Sequence, residues 1–296
     1  MDTVPAEPGA LHPALQPGLS LLRTRPSRAW SLIVTFYGDA VAPRGGSLWL
    51  GTLTALLAEL GYGPGVVRTA MSRLAADGWV ERTARGRNSH YRLTERGRET
   101  FGAASGHIYD PHPPAWDGRL TLLLEDVEEG GRDALRARLA EAGFGSPAPG
   151  LWIAPRREAP LPKGLFRLEA TLVEGEAARL AAATWPLARL AQSYTHFIEA
   201  FAPLRRALEA GEAFAPPEAM AARLLLIHEY RRIILRDPIL PAELLPAHWP
   251  GGEARALCRI VYPQLLAPSE RWLDEHGENE DGPLPAAGPA LARRFA

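Results

Sequence analysis

The sequence predicts an α+β protein of several domains, and three observations support this. A segment in the first third has the order helix, turn, helix and basic hairpin. The middle alternates apolar strands with short helices, and the last third carries apolar residues at helical spacing. The 296 residues, 46% of them apolar, can form two or three hydrophobic cores. We therefore expect an N-terminal winged helix-turn-helix, a middle ferredoxin-like α+β domain and a C-terminal helical domain.

The charges are distributed unevenly along the chain, although its formal net charge is only -1. From Leu19 to Thr100 there are 12 arginines, no lysine and six acidic residues. From Phe101 onward acidic residues outnumber basic ones by five. Because clustered cations neutralise nucleic-acid phosphates, this distribution indicates the N-terminal segment as the part that would bind nucleic acid.

Several classes of protein are excluded by composition. Cys258 is the single cysteine, so an intramolecular disulfide and a multi-cysteine metal site are excluded, and we interpret it as a buried apolar residue. The sequence has no run of about 18 uncharged apolar residues that could span a membrane. Residues 1–18 lack the basic start and apolar middle of a signal peptide. A cytoplasmic location without membrane association is the expectation.

The chain begins with a segment that we predict to be disordered, residues 1–18, because it is rich in Pro, Ala and Gly and shows no period. The winged-helix domain is predicted over residues 19–105, with a first helix from Ser27 to Tyr37. Residues 106–117 are predicted to be a linker, since prolines favour extended backbone. The linker histidines lack carboxylate or thiolate partners nearby in the sequence, so we predict no metal site there.

The most informative segment runs from Ser47 to Tyr91. A helix capped by Ser47 and ended by Gly61 is followed by a turn and by a second helix, whose Val67, Ala70, Met71 and Leu74 face the core. Arginines and small hydroxyls on the opposite face of such a helix reach base edges and phosphates in the major groove. The alternative is a solvated helix beside a solvated hairpin. The predicted DNA-binding residues are Arg68, Thr69, Ser72 and Arg73 on the helix and Arg85, Arg87 and Asn88 in the hairpin.

The middle domain is predicted over residues 118–183. Its series of strand, helix, strand, strand and helix indicates a ferredoxin-like unit. The predicted elements are strands at Arg119–Glu125, Leu151–Ile153 and Arg167–Val173 and helices at Arg132–Ala142 and Glu174–Ala183.

A helical domain is predicted over residues 184–276, and residues 277–296 are predicted to be a mobile tail because they are acidic and contain Pro and Gly. The first helix of this domain is expected to end near Pro203. The second helix, from about Pro217 to Arg236, is expected to have a solvent-exposed face that includes Leu225 and Glu229. A third is expected from Glu253 to Leu266.

Several short motifs follow one another along the chain. They include Phe36-Tyr37-Gly38-Asp39, Arg44-Gly45-Gly46-Ser47-Leu48-Trp49, Val67-Arg68-Thr69-Ala70-Met71-Ser72-Arg73-Leu74, His228-Glu229-Tyr230-Arg231-Arg232, Arg236-Asp237-Pro238 and Trp249-Pro250-Gly251. With these motifs in view, the chain resembles the PaaX family of bacterial repressors of phenylacetate catabolism. The resemblance covers Trp30 to about Trp272. It implies a dimeric repressor with an N-terminal winged helix, a middle domain similar to the Cas2 fold and a helical C-terminal domain. It also implies that an aryl-coenzyme A thioester such as phenylacetyl-coenzyme A releases the protein from double-stranded operator DNA.

The effector-binding prediction centres on the second C-terminal helix. At 100° per residue Arg231 falls inside the apolar arc, so its guanidinium needs a partner, which is either an internal carboxylate or an anionic group of the effector. Coenzyme A carries phosphates of the kind that arginine binds well. The predicted effector-binding residues are His228, Tyr230, Arg231, Arg232 and Trp185.

Two alternatives remain open. Glu125-Asp126 ends the first strand of the middle domain, where Cas2-type nucleases place a metal-binding aspartate, but no second acidic cluster completes such a site. A PaaX-like regulator with a different effector and regulon is the other alternative. We predict no enzymatic activity, no catalytic residue, no cofactor and no bound metal.

Overall fold

The computed structural model describes residues 11–24, 29–110, 113, 115–125, 132–155, 164–173 and 175–295. They form two compact units. The first unit contains the N-terminal part up to Asp110 together with residues 194–235 and 252–296, and the second contains residues 111–193 and 236–251. The C-terminal helices therefore belong largely to the same unit as the N-terminal segment, whereas the sequence suggested a separate helical domain.

The N-terminal part contains five helices and a three-stranded antiparallel sheet of order β1-β3-β2. A π turn at Tyr37–Val41 and a 3-10 turn at Ala42–Arg44 prolong the second helix. The elements are α1 (Gln16–Thr24), α2 (Ala29–Phe36), β1 (Ser47–Trp49), α3 (Leu50–Glu59), α4 (Pro64–Ala76), β2 (Val80–Arg85), β3 (Asn88–Leu93) and α5 (Glu95–Tyr109).

Three sequence predictions are wrong in this part. Residues 11–18 are ordered, because Leu11 and Leu15 are buried and a 3-10 turn leads into α1; residues 1–10 lie outside the described residues. Ser47 lies in strand β1 and does not cap α3. The predicted linker, residues 106–117, begins too early because α5 continues to Tyr109.

The middle part forms one antiparallel sheet of order β5-β6-β4-β7 with a core on each face. The predicted order of strand, helix, strand, strand and helix is observed, with one additional short strand after the first helix. The elements are β4 (Arg119–Glu125), α6 (Arg132–Glu141), β5 (Gly145–Ala148), β6 (Leu151–Pro155), β7 (Leu165–Thr171) and α7 (Ala177–Thr184).

The C-terminal part contains three long helices and a small hairpin. They are α8 (Leu187–Glu209), α9 (Pro216–Ile234), α10 (Gly251–His276), β8 (Glu278–Asn279) and β9 (Gly282–Pro283). Pro203 lies inside α8 and does not end it. The prediction of a mobile tail over residues 277–296 is wrong for 277–295, where Leu284, Leu291 and Phe295 are buried; Ala296 lies outside the described residues.

Helix α9 is the centre of the first unit. All residues from Ala219 to Tyr230 are buried, because α1, α2, α3 and α5 pack around the helix. The prediction of a solvent-exposed face that includes Leu225 and Glu229 is therefore wrong, because these side chains are 0% and 4% exposed. Helical periodicity alone cannot predict a helix that is enclosed on every side.

Candidate nucleic-acid interface and effector region

Helix α4 presents a polar face to solvent. Gly61 adopts a φ of 84° in the turn before it, a conformation that favours glycine, and Pro64 is the first helical residue. The expected core side chains Val67, Ala70, Met71 and Leu74 are buried, and the four predicted DNA-binding residues Arg68, Thr69, Ser72 and Arg73 are exposed. The amphipathic pattern predicted from the sequence is thus confirmed.

The interactions of this polar face are weak or lie within α4 and its C-terminal end. Thr69 donates its hydroxyl hydrogen to the carbonyl of Gly65 at 3.0 Å, within the helix. The Arg73 Nε lies 3.8 Å from a carboxylate oxygen of Asp77, and both side chains are more than half exposed. Ion pairs this exposed contribute little, so the Arg73 guanidinium can exchange this partner for a phosphate or a base edge.

The hairpin of β2 and β3 lies directly after α4. Arg85 pairs with Asn88 across the strands, leaving a two-residue turn in which Gly86 has a φ of 60°. Arg85, Arg87 and Asn88 are all exposed, as predicted. The hairpin therefore carries two arginines at its tip, in the same segment as the polar face of α4.

The hairpin of β8 and β9, which we name the acidic hairpin (residues 278–283), contacts this basic hairpin. Arg85 donates to the carbonyl of Glu280 and lies 3.3 Å from Asp281, and Arg92 pairs with the Glu280 carboxylate, which also accepts from Ser47. Burial raises the pKa of Glu280, but the hydrogen bonds from Ser47 and Arg92 outweigh it and lower that pKa to about 2. The prediction of a solvated tail from acidic composition is therefore wrong for this hairpin.

A buried charge network in the first unit is centred on Asp39. The Asp39 carboxylate, 2% exposed, accepts from Arg223 Nε at 2.6 Å and Arg294 Nη1 at 2.9 Å, and from the hydroxyls of Tyr109 at 2.6 Å and Tyr262 at 2.9 Å. Burial raises the pKa of Asp39, but the two arginines and the two hydroxyl donors outweigh it and lower the pKa. Asp39 therefore stays ionised. It connects Arg223 of α9 with Arg294, which lies near the end of the described chain.

The network extends beyond Asp39 through a second carboxylate. Glu270 accepts from Arg223 at 2.5 Å and from Arg44 at 2.6 Å, and Arg44 also pairs with Asp274 at 2.8 Å. Sequence reasoning assigned no role to these residues, although Asp39 and Arg44 stand in the motifs quoted for the resemblance. A carboxylate directly after the apolar run of α2 was the signal that could have identified Asp39.

The predicted effector residues on α9 lie in different environments. His228 is buried with its Nδ1 3.0 Å from the Thr35 hydroxyl, and burial, followed by the charges of Arg231 and Arg232, lowers its pKa well below 6.5. Tyr230 is buried, whereas Arg231 and Arg232 are half-buried. Arg231 donates to Ser31 at 3.3 Å, and Arg232 pairs with Glu229 at 3.3 Å.

One of the effector predictions needs correction, and Trp185 belongs to a different unit from the α9 residues. Trp185 lies in the second compact unit, where it packs with Ile153, Ala181 and Leu244. The fully buried arginine of α9 is Arg223 at 0% exposure and not Arg231. The reason is that Arg231 lies near the end of α9, where the packing around the helix is incomplete.

Other candidate sites gain no support from the geometry. Glu125 accepts a hydrogen bond from Trp152 Nε1 at 2.9 Å, and Asp126 lies outside the described residues. Within the described residues, no group of three His, Cys, Asp or Glu side chains is placed to hold a metal ion. Cys258 is buried and reduced, and burial raises the pKa of its thiol well above the usual value. Among the helices described, none is both long and apolar enough to span a membrane.

Comparison with known proteins gives consistent results over most of the chain. Three family models match: PaaX-like protein over residues 28–97, the PaaX protein central Cas2-like domain over 113–182 and the PaaX-like protein C-terminal domain over 185–275. The chain is 39% identical over 286 residues to the transcriptional repressor PaaX of Escherichia coli (strain K12), which covers 91% of this chain and 90% of that protein. Among solved structures it is similar to the uncharacterized protein Rv0674 from Mycobacterium tuberculosis, with 26% identity, a TM-score of 0.51 and coverage of 75% of this chain and 88% of that one. With family models over all three segments and a relative of this identity along nine-tenths of its length, the chain belongs to the PaaX family.

Proposed function

We propose that the protein is a DNA-binding transcriptional repressor of an aromatic-acid catabolic operon of the phenylacetate type. The observation that carries this proposal is the exposed row of Arg68, Thr69, Ser72 and Arg73 on α4, followed by a hairpin with two arginines at its tip. The relative in Escherichia coli is named a transcriptional repressor, which supports a regulator and agrees with our prediction that the chain is not an enzyme.

In this proposal α3, α4 and the β2–β3 hairpin act as a winged helix-turn-helix. The 13 residues of α4 form a rod of about 20 Å. A helix of this size fits the major groove, where Arg68 and Arg73 can donate to guanine O6 and N7 while Thr69 and Ser72 contact neighbouring bases or phosphates. Arg85, Arg87 and Asn88 would contact the backbone beside the groove, which contributes affinity that depends on salt but not on sequence.

We further propose that two copies of the chain act together, because a single recognition helix reads only a few base pairs. Strand β7 supports this proposal: it pairs only with β4 among the described strands, and its Phe166 and Leu168 are 59% and 45% exposed. An antiparallel β7–β7 contact centred on Leu168 would place Arg167 opposite Glu169 of the second copy. This self-complementary pattern fits a two-fold dimer.

The oligomeric proposal is tested by sedimentation of the full-length protein. We expect a dimer for the wild type and a monomer for Leu168→Lys, which places two cations opposite each other at the centre of the strand pair. As the matched control, Val173→Lys changes an exposed apolar residue that lies beyond β7 and should leave the dimer intact. If Leu168→Lys forms a dimer as stable as that of the wild type, the dimer contact does not lie at β7.

The proposed effector is an aryl-coenzyme A thioester such as phenylacetyl-coenzyme A. Tyr230 would contact the aryl group, and Arg231 and Arg232, both half-buried at the end of α9, would contact the anionic groups of the coenzyme. His228 would position the end of α9 through its contact with Thr35. Such an effector releases DNA only through a difference in its affinity for the DNA-competent and DNA-incompetent conformations.

The proposed function is tested by a gel shift of the protein on its own upstream DNA, with a panel of aryl-coenzyme A thioesters and with coenzyme A alone. We expect a specific complex that one thioester dissolves and coenzyme A does not. Arg231→Ala and Arg232→Ala should still bind the operator but need more thioester for release. Binding of unrelated DNA with equal affinity would contradict the repressor, and release by none of the thioesters would point to a regulator with another effector.

A further inference from the structure

The segment after β9 ends in an aromatic cage inside the first unit. Phe295 is 2% exposed, and its ring centroid lies 5.3 Å from that of Tyr109, 5.7 Å from Tyr230 and 5.4 Å from Tyr262. The interplanar angles of 80° with Tyr109 and 63° with Tyr230 are those of edge-to-face contacts, which aromatic pairs favour, and the Tyr262 ring is tilted by 60°. We name Tyr109, Tyr230 and Tyr262 the tyrosine cage. The cage thus already holds a phenyl ring, supplied by the chain itself.

Arg294 holds this segment at the cage entrance. Its Nη1 donates to Asp39 Oδ1 at 2.9 Å, and its guanidinium carbon lies 4.1 Å from the centroid of the Tyr109 ring. These are a charge-assisted hydrogen bond and a cation–π contact, both stronger in a desolvated position than in water. Arg294 and Phe295 therefore supply the contacts of the segment at the cage, and Leu284 and Leu291 are buried before them along the chain.

The backbone of the same segment is held by a few hydrogen bonds: the Gly288 amide donates to the Pro43 carbonyl at 2.9 Å, and Arg44 Nη1 donates to the Pro285 carbonyl at 3.3 Å. Between β9 and Phe295 its only regular structure is the 3-10 turn Leu291–Arg293. Phe295 has a φ of 59°, in the left-handed region that residues with a Cβ disfavour. Withdrawal of the segment would thus break no sheet and no long helix, and it would relieve an unfavourable backbone conformation.

The walls of the cage do not depend on the segment. Without Arg294, the Asp39 carboxylate would keep Arg223 at 2.6 Å and the hydroxyls of Tyr109 and Tyr262 at 2.6 Å and 2.9 Å. Its charge would remain neutralised, and the two tyrosines would remain fixed by the same acceptor. The vacated space would be an apolar pocket of the size of a phenyl group.

We propose that the tyrosine cage is the binding site for the aryl group of the effector, and that Phe295 is an internal competitor that must leave before the effector enters. The inference rests on the proposed function, which supplies the aryl thioester. Tyr230, assigned to the effector from the sequence, is a wall of the cage, and Arg231 follows it on α9.

The position of the acidic hairpin connects this exchange to DNA binding. Glu280 and Asp281, which hold Arg92 and Arg85 of the basic hairpin, precede Phe295 in one C-terminal segment. Movement of this segment out of the cage changes the restraint on the basic hairpin. The effector can thereby favour one conformation of the DNA-binding elements without touching them.

The test compares binding of phenylacetyl-coenzyme A by calorimetry to the full-length wild type, to Phe295→Ala and to a chain that ends at Arg293. Because competition by Phe295 lowers the fraction of binding-competent protein, we expect the apparent Kd to fall by about tenfold or more in both variants. Phe214→Ala is the matched control: it removes a buried phenylalanine that packs on His12, outside the cage, and should leave the Kd unchanged. If either variant does not fold, Phe295→Leu keeps most of the apolar volume and should give a smaller fall.

Hydrogen exchange in the wild type gives the second readout. Addition of the thioester should increase amide exchange across residues 284–295 as the segment leaves the core. The inference is overturned if the thioester releases the operator while this segment stays protected and Phe295→Ala binds no tighter than Phe214→Ala; the proposed function then stands. If the thioester neither binds any of these proteins nor releases operator, the effector class itself is wrong and the inference falls with it.

Discussion

The arginines of the first unit occupy two opposite environments. Arg68 and Arg73 on α4 are exposed, and the nearest carboxylate to Arg73 lies at 3.8 Å. Arg223 and Arg44 are 0% and 3% exposed and bind carboxylates at 2.5 to 2.8 Å. An exposed guanidinium contributes little to the fold and stays available for a ligand, whereas a desolvated one must keep its partners. Environment, and not residue type, therefore separates the arginines that stay available for a ligand from those that the fold requires.

Removal of the buried guanidinium at Arg223 should have the largest effect. Arg223→Ala leaves Asp39 with Arg294 as its only arginine partner and removes one of the two arginines on Glu270, so we expect a loss of about 3 to 5 kcal/mol in the free energy of unfolding. Urea denaturation followed by circular dichroism measures it. Arg68→Ala is the control and should stay within about 0.5 kcal/mol of the wild type. Equal stabilities for the two variants would contradict the comparison.

The exposed arginines should show the reverse behaviour. Arg68→Ala and Arg73→Ala should each lose about 1 to 3 kcal/mol of operator binding while unfolding at the wild-type urea concentration. Quantitative gel shifts on operator and on scrambled DNA provide the measurement. If both variants bind the operator like the wild type, α4 does not read the groove.

Acid should weaken the protein through its buried groups. The pKa of His228 is held well below 6.5, so the folded protein keeps this side chain neutral while the unfolded chain takes up a proton. The folded pKa is depressed, and its contribution is therefore complete above about pH 6.5 and is lost as the pH falls toward the folded value. Asp39, whose pKa is lowered from 3.8, adds a second loss at more acidic pH.

The measurement is the free energy of unfolding at intervals from pH 8 to pH 5. His228→Gln cannot titrate, so its stability should depend less on pH over this range than that of the wild type. The comparison is contradicted if the two profiles are parallel, since burial of His228 would then contribute nothing to the pH dependence of stability.

The smallest effects should come from the contact between the acidic and basic hairpins. Arg85→Ala should weaken binding to all DNA and lower the slope of log affinity against log salt by about one. Asp281→Asn removes an exposed ion pair at 3.3 Å and should slightly strengthen binding at low salt, because Arg85 gains freedom to contact phosphate. A change in sequence preference with an unchanged salt slope for Arg85→Ala would assign the hairpin to base readout.

Local signals predicted the α4 region well. Gly61 and Gly78 have positive φ values of 84° and 72°, and Pro64 is the first residue of α4. Glycine and proline in the sequence therefore mark where these helices begin and end. The burial of Val67 and Met71 follows from helical spacing. Such features depend on neighbours a few residues apart, which a single sequence displays directly.

The buried network could not be predicted in the same way. Asp39 and Arg223 are 184 residues apart, so their contact depends on the packing of α9 and not on local pattern. Composition misled us for residues 277–295, because the same acidic residues that favour solvent can also bind arginines. Pro203 was expected to end α8, but loss of one backbone hydrogen bond does not end a helix whose apolar face is packed on both sides of the proline.

The enclosure of α9 has a consequence for its tolerance of sequence change. An amphipathic helix accepts substitutions at every third or fourth position, so a map of tolerated residues along it oscillates with a period of about 3.6. From Ala219 to Tyr230 every position is buried, so that oscillation should vanish and be replaced by one continuous intolerant band. Saturation mutagenesis of this stretch would therefore show twelve neighbouring positions of nearly equal sensitivity, with tolerance returning only at Arg231 and Arg232.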